Sequence, residues 1–262
     1  MTNAPLSSIT MYSPCTLFIF AHPDDDVFIA GTMRKFLEHG GNVQAVWLTS
    51  GDARGNSQVR EAELHVAMDL LGLAPAALHL LRRPNRGLLP VLDAVAEDLL
   101  GLFDRLGVGT VFTTAYEGGH IDHDALNFAA SQAALRATRR PDMLEFPLYN
   151  RTGALYTLGW RINDFPPGGP AARRTELDAE LIARKHRMMR AYRSQRGDML
   201  PFRFILSRTR LLRRGEPYRP IPLDRDYLTP PHAGILNYEK DRHACFEQFR
   251  EAVQRVSIRP QR

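Results

Sequence analysis

The sequence predicts an α/β fold, a Rossmann-like three-layer sandwich built on a mostly parallel sheet. Short apolar runs alternate with helix-length segments over residues 1–150, the pattern of strands joined by crossover helices. The runs are apolar at nearly every position, as expected for strands that helices cover on both faces.

The first predicted strand is the run TLFIFA, residues 16–21. A helix follows over 27–39 and ends at Gly40 and Gly41, and the run VQAVWLT predicts a strand over 43–49. These elements form the first strand–helix–strand unit.

The next elements repeat this order. A helix is predicted over 58–71, where Gly72 stops it, and a short strand over 78–81. A helix over 91–106 places one apolar face towards the sheet, made of Leu92, Val95, Leu99 and Leu102.

The last predicted elements of this region are a strand over 108–114, a helix over 123–137 and a fifth strand over 143–148. In such sheets ligands bind outside the carboxyl ends of the strands. We therefore expect the functional residues at that edge.

The regular alternation of apolar runs and helix-length segments ends at about residue 151. The stretch DFPPGGP, 164–170, predicts a loop, 175–194 a charged helix, and 201–232 is rich in Pro and Arg. We expect 1–150 to form a Rossmann-like catalytic core and 151–262 to wrap the active-site edge and complete the substrate site within the same domain.

The composition excludes several classes of protein. The 262 residues include two cysteines without a CxxC pattern, so the sequence implies neither a disulfide framework nor a thiolate metal site. No apolar run approaches the ~18 residues of a membrane span. We expect a cytoplasmic protein that binds no nucleic acid, while peripheral membrane contact and the oligomeric state stay open.

Charge is distributed unevenly along the chain. Residues 1–150 carry a net charge of −6 and residues 151–262 a net charge of +11. The basic half would attract an anionic substrate or membrane surface, or its arginines are simply solvated. The densest basic stretch is 184–225.

Two polar clusters follow predicted strands. The stretch AHPDDD follows the first strand and contains His22, Asp24 and Asp25, while Asp26 is placed to cap the next helix. The stretch EGGHIDHD, residues 117–124, follows the fourth predicted strand. If the fold is as predicted, the two clusters meet.

Together these clusters offer the ligands of a catalytic metal ion. Two imidazoles and one carboxylate with an open fourth position are typical of catalytic zinc, and another carboxylate can act as a base. Fe²⁺ or another divalent ion also suits such ligands. Motifs of dinucleotide-binding enzymes, P-loop proteins and serine hydrolases are absent from the sequence.

The paired motifs AHPDDD and GGHIDHD resemble the PIG-L/LmbE-like family of metal-dependent N-deacetylases. The likeness extends to VREAEL at 59–64, NRGL at 85–88, AYRSQ at 191–195 and PPHAGILNYE at 230–239. The chain departs from the family pattern in having Asp26 where Glu is usual, and HIDH where HPDH is usual.

The resemblance implies a role for each matching residue. It implies that His22, Asp25 and His123 bind the metal and that Asp24 is the general base. It implies that His120, oriented by Asp122, stabilises the oxyanion and protonates the leaving amine. Arg60 matches a position that contacts substrate, and we expect Tyr116 to be a further donor near the oxyanion.

The sequence therefore predicts a hydrolase of linear amides, a zinc-dependent deacetylase. Its expected substrate is an N-acetylglucosamine-type sugar or glycoconjugate, which is cleaved to a free amine and acetate. Two alternatives stay open: a metal-dependent amidase acting on a larger conjugate, and a non-enzymatic protein of the same fold that binds an anionic glycan or a membrane.

Overall fold

The computed structural model describes residues 15–52, 56–155, 159–195 and 214–257. The strands are β1 Thr16–Phe20, β2 Val43–Thr49, β3 Leu78–Arg83, β4 Thr110–Thr114, β5 Asp142–Phe146, β6 Tyr149–Leu155, β7 Trp160–Ile162, β8 Arg173–Thr175 and β9 Glu216–Pro220. The helices are α1 Ala30–Glu38, α2 Ser57–Leu71, α3 Leu92–Leu106, α4 Ile121–Arg136, α5 Ala179–Ala191, α6 Asn237–Lys240 and α7 Phe246–Ser257.

The central sheet has the strand order β3-β2-β1-β4-β5-β9-β8. The first five strands in this order are parallel, β9 pairs antiparallel with β5, and β8 pairs antiparallel with β9. Phe18 and Phe20 pack into the apolar layer on one face, and Leu17 and Ile19 into the layer on the other. The predicted fold class is thereby confirmed.

Some element boundaries differ from the prediction. The helix expected over 27–39 begins as a 3-10 turn, Asp25–Phe28, before α1. The fifth strand ends at Phe146, and the chain then enters a small antiparallel sheet of β6 and β7. Within the Pro- and Arg-rich stretch, Glu216–Pro220 forms β9, which the aperiodic sequence did not reveal.

The C-terminal part of the chain packs against the helices on both faces of the sheet. Phe249 and Val253 of α7 belong to the same apolar layer as α3 and α4, and α5 packs on α1 and α2. In the described residues no helix has both the length and the hydropathy needed to cross a membrane. The division at residue 150 stays a prediction.

The structure shows partners for several residues of the basic stretch 184–225. Lys185 pairs with buried Glu216, while Arg219 and Arg225 pair with buried Glu145. These three cations therefore stabilise the fold and do not form a solvated basic surface. Arg208, Arg210 and Arg213 lie outside the described residues.

The buried pair of Lys185 and Glu216 fastens α5 and β9 to α1. The Glu216 carboxylate accepts from the backbone N–H of Gly31 (2.9 Å) and of Thr32 (2.6 Å), in the first turn of α1. Because α1 has no side-chain cap of its own, Glu216 serves as its cap from a distant strand.

We expect Glu216→Gln to lower the free energy of unfolding by about 3–5 kcal/mol, because it leaves the Lys185 ammonium buried without a counter-charge. Urea unfolding measures this loss. The matched control is Glu38→Gln, which removes an exposed partner of Arg34 and should cost less than about 1 kcal/mol. Equal losses in the two variants would contradict the assigned role.

Candidate metal and catalytic site

The two sequence clusters meet at one edge of the sheet. β1 and β4 are neighbouring parallel strands, so the residues that follow them emerge side by side. The helix after β1 leads to β2 on one side of the strand order, and the helix after β4 leads to β5 on the other side. The position between β1 and β4 is therefore the switch point of the sheet, where ligands bind in such folds.

Asp25 joins the two clusters. Its carboxylate lies 3.5 Å from His22 Nδ1 through one oxygen and 3.2 Å from His123 Nε2 through the other. Although burial acts in the opposite direction, the nearby imidazoles hold the pKa of Asp25 well below its usual range. All three side chains are buried.

Several observations show that these residues suit a divalent cation. Ring nitrogens of His22, His120 and His123 lie within 4.8 Å of one another. Nδ1 of His123 is buried without a hydrogen-bond partner in the described part of the chain. Nitrogen ligands beside a carboxylate match the preferences of Zn²⁺ and of Fe²⁺. The cluster therefore suits a divalent cation.

Asp24 lies beside this cluster in a strained conformation. Its φ of 102° is in the left-handed region, where residues other than glycine are uncommon. Burial raises the pKa of Asp24 to about 7, while the charge of Arg60 opposes this rise. A carboxylate of this pKa is suited to exchanging a proton near neutral pH.

Arg60 is buried on α2 and holds the Asp24 segment in place. Its guanidinium donates to the carbonyl oxygens of Gly51 (2.6 Å) and Pro23 and lies 3.2 Å from Asp24 Oδ2. The structure thus shows an ion pair with Asp24, and substrate contact by Arg60 stays a prediction.

Asp26 does not cap the following helix, so that prediction was wrong. Its carboxylate oxygen Oδ1 accepts from the backbone N–H of Asp24 (3.2 Å) and from the Tyr192 hydroxyl (2.5 Å). Tyr192 belongs to the AYRSQ segment, and the next serine, Ser194, donates to Glu63 of α2. This segment therefore fastens both the 3-10 turn and α2.

His120 and Asp122 meet through the backbone. The Asp122 N–H donates to His120 Nδ1 (3.1 Å), so the proton of a neutral His120 ring lies on Nε2. Burial and the charges of His22 and His123 hold the pKa of His120 well below its usual range. The ring is therefore arranged as a neutral hydrogen-bond donor.

The Asp122 carboxylate has other partners. It lies 3.2 Å from His22 Nε2 and accepts from the backbone N–H of Arg86 (2.6 Å) and of Leu88 (3.2 Å), both in the NRGL turn. Burial lowers the pKa of His22, but the charges and hydrogen bonds of Asp25 and Asp122 outweigh it and raise the pKa to about 10. Asp122 thus holds His22 through its carboxylate and His120 through its backbone.

Two tyrosines come shortly after β4 and β5, at this edge of the sheet. Tyr116 is buried against Phe249 and donates from its hydroxyl to the carbonyl of Thr229 (2.8 Å), so its role with substrate stays a prediction. Tyr149, which sequence reasoning missed, lies with its ring centroid 5.9 Å from that of His123. The available sequence signal was only its place after the fifth strand, at the same sheet edge.

Comparison with known proteins supports the family resemblance. Residues 17–134 match the family model described as PIG-L: GlcNAc-PI de-N-acetylase. A curated relative, the probable N-acetylglucosaminyl-phosphatidylinositol de-N-acetylase of Schizosaccharomyces pombe, is 32% identical over 117 residues. That match covers 42% of this chain and 47% of the relative, so the chain matches less than half the length of this relative.

Solved structures share the fold. A deacetylase from the teicoplanin biosynthesis pathway superposes with a TM-score of 0.62 at 18% identity, covering 79% of this chain and 98% of that one. The N,N'-diacetylchitobiose deacetylase of Pyrococcus horikoshii gives a TM-score of 0.57 at 21% identity, covering 84% and 88%. These likenesses confirm the α/β architecture.

Proposed function

We propose, from the match of residues 17–134 to the PIG-L family model, that the protein is a metal-dependent N-deacetylase. Its proposed substrate is an N-acetylglucosamine-type sugar or glycoconjugate, hydrolysed to a free amine and acetate. The observation that carries the proposal is Asp24, a partly buried carboxylate paired with Arg60 and of raised pKa, which lies beside the His22, Asp25 and His123 cluster.

The proposed cofactor is one divalent ion, with Zn²⁺ first and Fe²⁺ as the alternative, held by His22, Asp25 and His123. When bound, such an ion supplies Lewis-acid polarisation of the carbonyl and lowers the pKa of water. A binding protein would need no further carboxylate at this place.

Asp24 and His120 have separate roles in the proposed reaction. Asp24 accepts a proton from the attacking water as the oxygen bonds to the acetyl carbon, and later delivers this proton to the leaving nitrogen. His120 donates from Nε2 to the oxygen on which negative charge develops. In this proposal the role of His120 is narrower than the resemblance implied, because its Nδ1 accepts from the Asp122 N–H and the ring then carries a single proton, on Nε2.

The decisive experiment is a screen of N-acetylhexosamine derivatives and larger amide conjugates with the metal-loaded protein, scoring free amine and acetate. Release of acetate from the sugars supports the proposal, and cleavage confined to the larger conjugates supports the amidase alternative. Stoichiometric binding of a glycan or of anionic vesicles without any cleavage would identify a binding protein. The cytoplasmic location and the anionic character of the substrate stay predictions.

The pH dependence tests the pairing of Asp24 with Arg60. Because the cation favours the ionised carboxylate, Arg60→Gln should raise the pKa of Asp24 and move the acidic limb of kcat/KM to higher pH. Arg60→Lys keeps the positive charge and should leave the limb nearly in place. The prediction fails if the two variants give the same acidic limb.

A further inference from the structure

The loop between β4 and α4 ends at His120 and includes Glu117, Gly118 and Gly119. Its backbone N–H groups have hydrogen-bond acceptors nearby. The buried carboxylate of Asp124 accepts from the backbone N–H of Glu117 (3.0 Å) and of Gly118 (3.2 Å). The carbonyl groups of the two glycines need donors from elsewhere, since buried carbonyls are nearly always paired.

Both of these carbonyls accept from one residue of the C-terminal segment. The backbone N–H of Asn237 donates to Gly118 O (2.7 Å), and its side-chain Nδ2 donates to Gly119 O (3.1 Å). Asn237 begins α6 and is 5% exposed. A residue more than a hundred positions away in the sequence therefore completes the hydrogen bonding of this loop.

The loop also has little room to move. A Cβ atom at Gly118, whose φ is +69°, would lie 2.7 Å from a methyl carbon of Leu236. A Cβ atom at Gly119 would lie 2.2 Å from the carbonyl oxygen of Tyr149. The glycines let the loop pass between Leu236 and the backbone of Tyr149, and Asn237 binds it at that place.

The orientation of the Asn237 amide is fixed by its neighbours. Its Oδ1 accepts from Arg151 Nε (3.0 Å), which leaves Nδ2 to face Gly119 O and the carboxylate of Asp241 (3.1 Å). An amide with its oxygen towards a cation and its nitrogen towards two acceptors has one favourable orientation.

We propose that Asn237 is a positioning residue that sets the place of His120 through Gly118 and Gly119. The inference rests on the proposed function, in which His120 donates to the developing oxyanion. Such donors act only when they are placed correctly, and a displacement of about 1 Å can cost up to a hundredfold in rate. The hydrogen bonds of Asn237 go to the loop, Arg151 and Asp241, and not to His22, Asp25 or His123.

The test is Asn237→Asp, which keeps the shape and the acceptor for Arg151 but replaces the donor to Gly119 O with an oxygen. We expect kcat to fall about tenfold or more with KM and metal content close to wild type. In the metal-loaded protein, amide hydrogen exchange should quicken in the peptide covering residues 117–123. Asp241→Asn is the matched control, because it alters the other acceptor of Nδ2 and leaves the Gly119 contact.

The outcomes separate this inference from the proposed function. If the wild-type protein cleaves no amide, the proposed function fails, and hydrogen exchange alone tests the inference. Faster exchange of Asn237→Asp that is limited to residues 117–123, with an unchanged unfolding midpoint, then supports the inference. The inference is overturned if Asn237→Asp has both the hydrogen exchange and the kcat of wild type. It is also overturned if Asp241→Asn changes exchange and kcat as much as Asn237→Asp does. If Asn237→Asp does not fold, Asn237→Ser, which removes the amide without adding charge, takes its place with the same outcomes.

Discussion

Replacing Asp24 by asparagine is expected to lower kcat by about 10²–10⁴ and to leave the metal content unchanged. The range is that of a lost general acid–base group. Asparagine keeps the shape of the side chain and tolerates the left-handed backbone found at this position, where φ is 102°. Arg60 keeps its bonds to the carbonyls of Pro23 and Gly51, so the segment should keep its place.

This prediction is measured by acetate release and by elemental analysis on the same preparations. The matched control is Asp69→Asn, which changes an exposed carboxylate on α2 and should leave both quantities at wild-type values. Loss of metal from Asp24→Asn would show that Asp24 is a ligand and not the base. Retained turnover would remove Asp24 from the mechanism.

The fold and the meeting of the two clusters could be predicted because both depend on local signals. Phe18 and its neighbours in β1 are apolar on both faces, and the glycines after α2 and α3 mark helix ends. Once the sheet is parallel, residues that follow adjacent strands must emerge at one edge. The proximity of His22 and His123 follows from this rule alone.

Contacts between distant polar side chains could not be predicted in this way. Local spacing placed Asp26 as a helix cap, but the helix receives its cap from Glu216, and Asp26 binds Tyr192. Single contacts across such sequence separations leave no periodicity to detect. Glu216 is one acidic residue within a basic stretch, and its pairing with Lys185 depends on how α5 and β9 pack.

The position of Asp122 shows the same limit at the candidate site. The family resemblance implied that Asp122 orients the His120 ring, without saying through which of its groups. In the structure the backbone N–H of Asp122 takes this role, while the carboxylate contacts His22. At the start of a helix, the backbone and side chain of one residue point to different partners, and sequence spacing does not distinguish them.

Replacing His123 by alanine is expected to abolish stoichiometric metal binding and, with it, turnover, whereas His120→Ala should keep the metal. Ring nitrogens of His22, His120 and His123 all lie within 4.8 Å of one another, so either His120 or His123 could join His22 as a ligand. The two variants distinguish these two ligand sets. His123 is favoured as a ligand since it contacts the Asp25 carboxylate and its Nδ1 is buried without a partner among the described residues. His120 Nδ1 already accepts from the Asp122 N–H, which leaves Nε2 as its donor to substrate.

Elemental analysis and a zinc titration of each variant measure the outcome without relying on activity. Full metal loading of His123→Ala, or loss of metal from His120→Ala, would replace the proposed ligands with the set that includes His120.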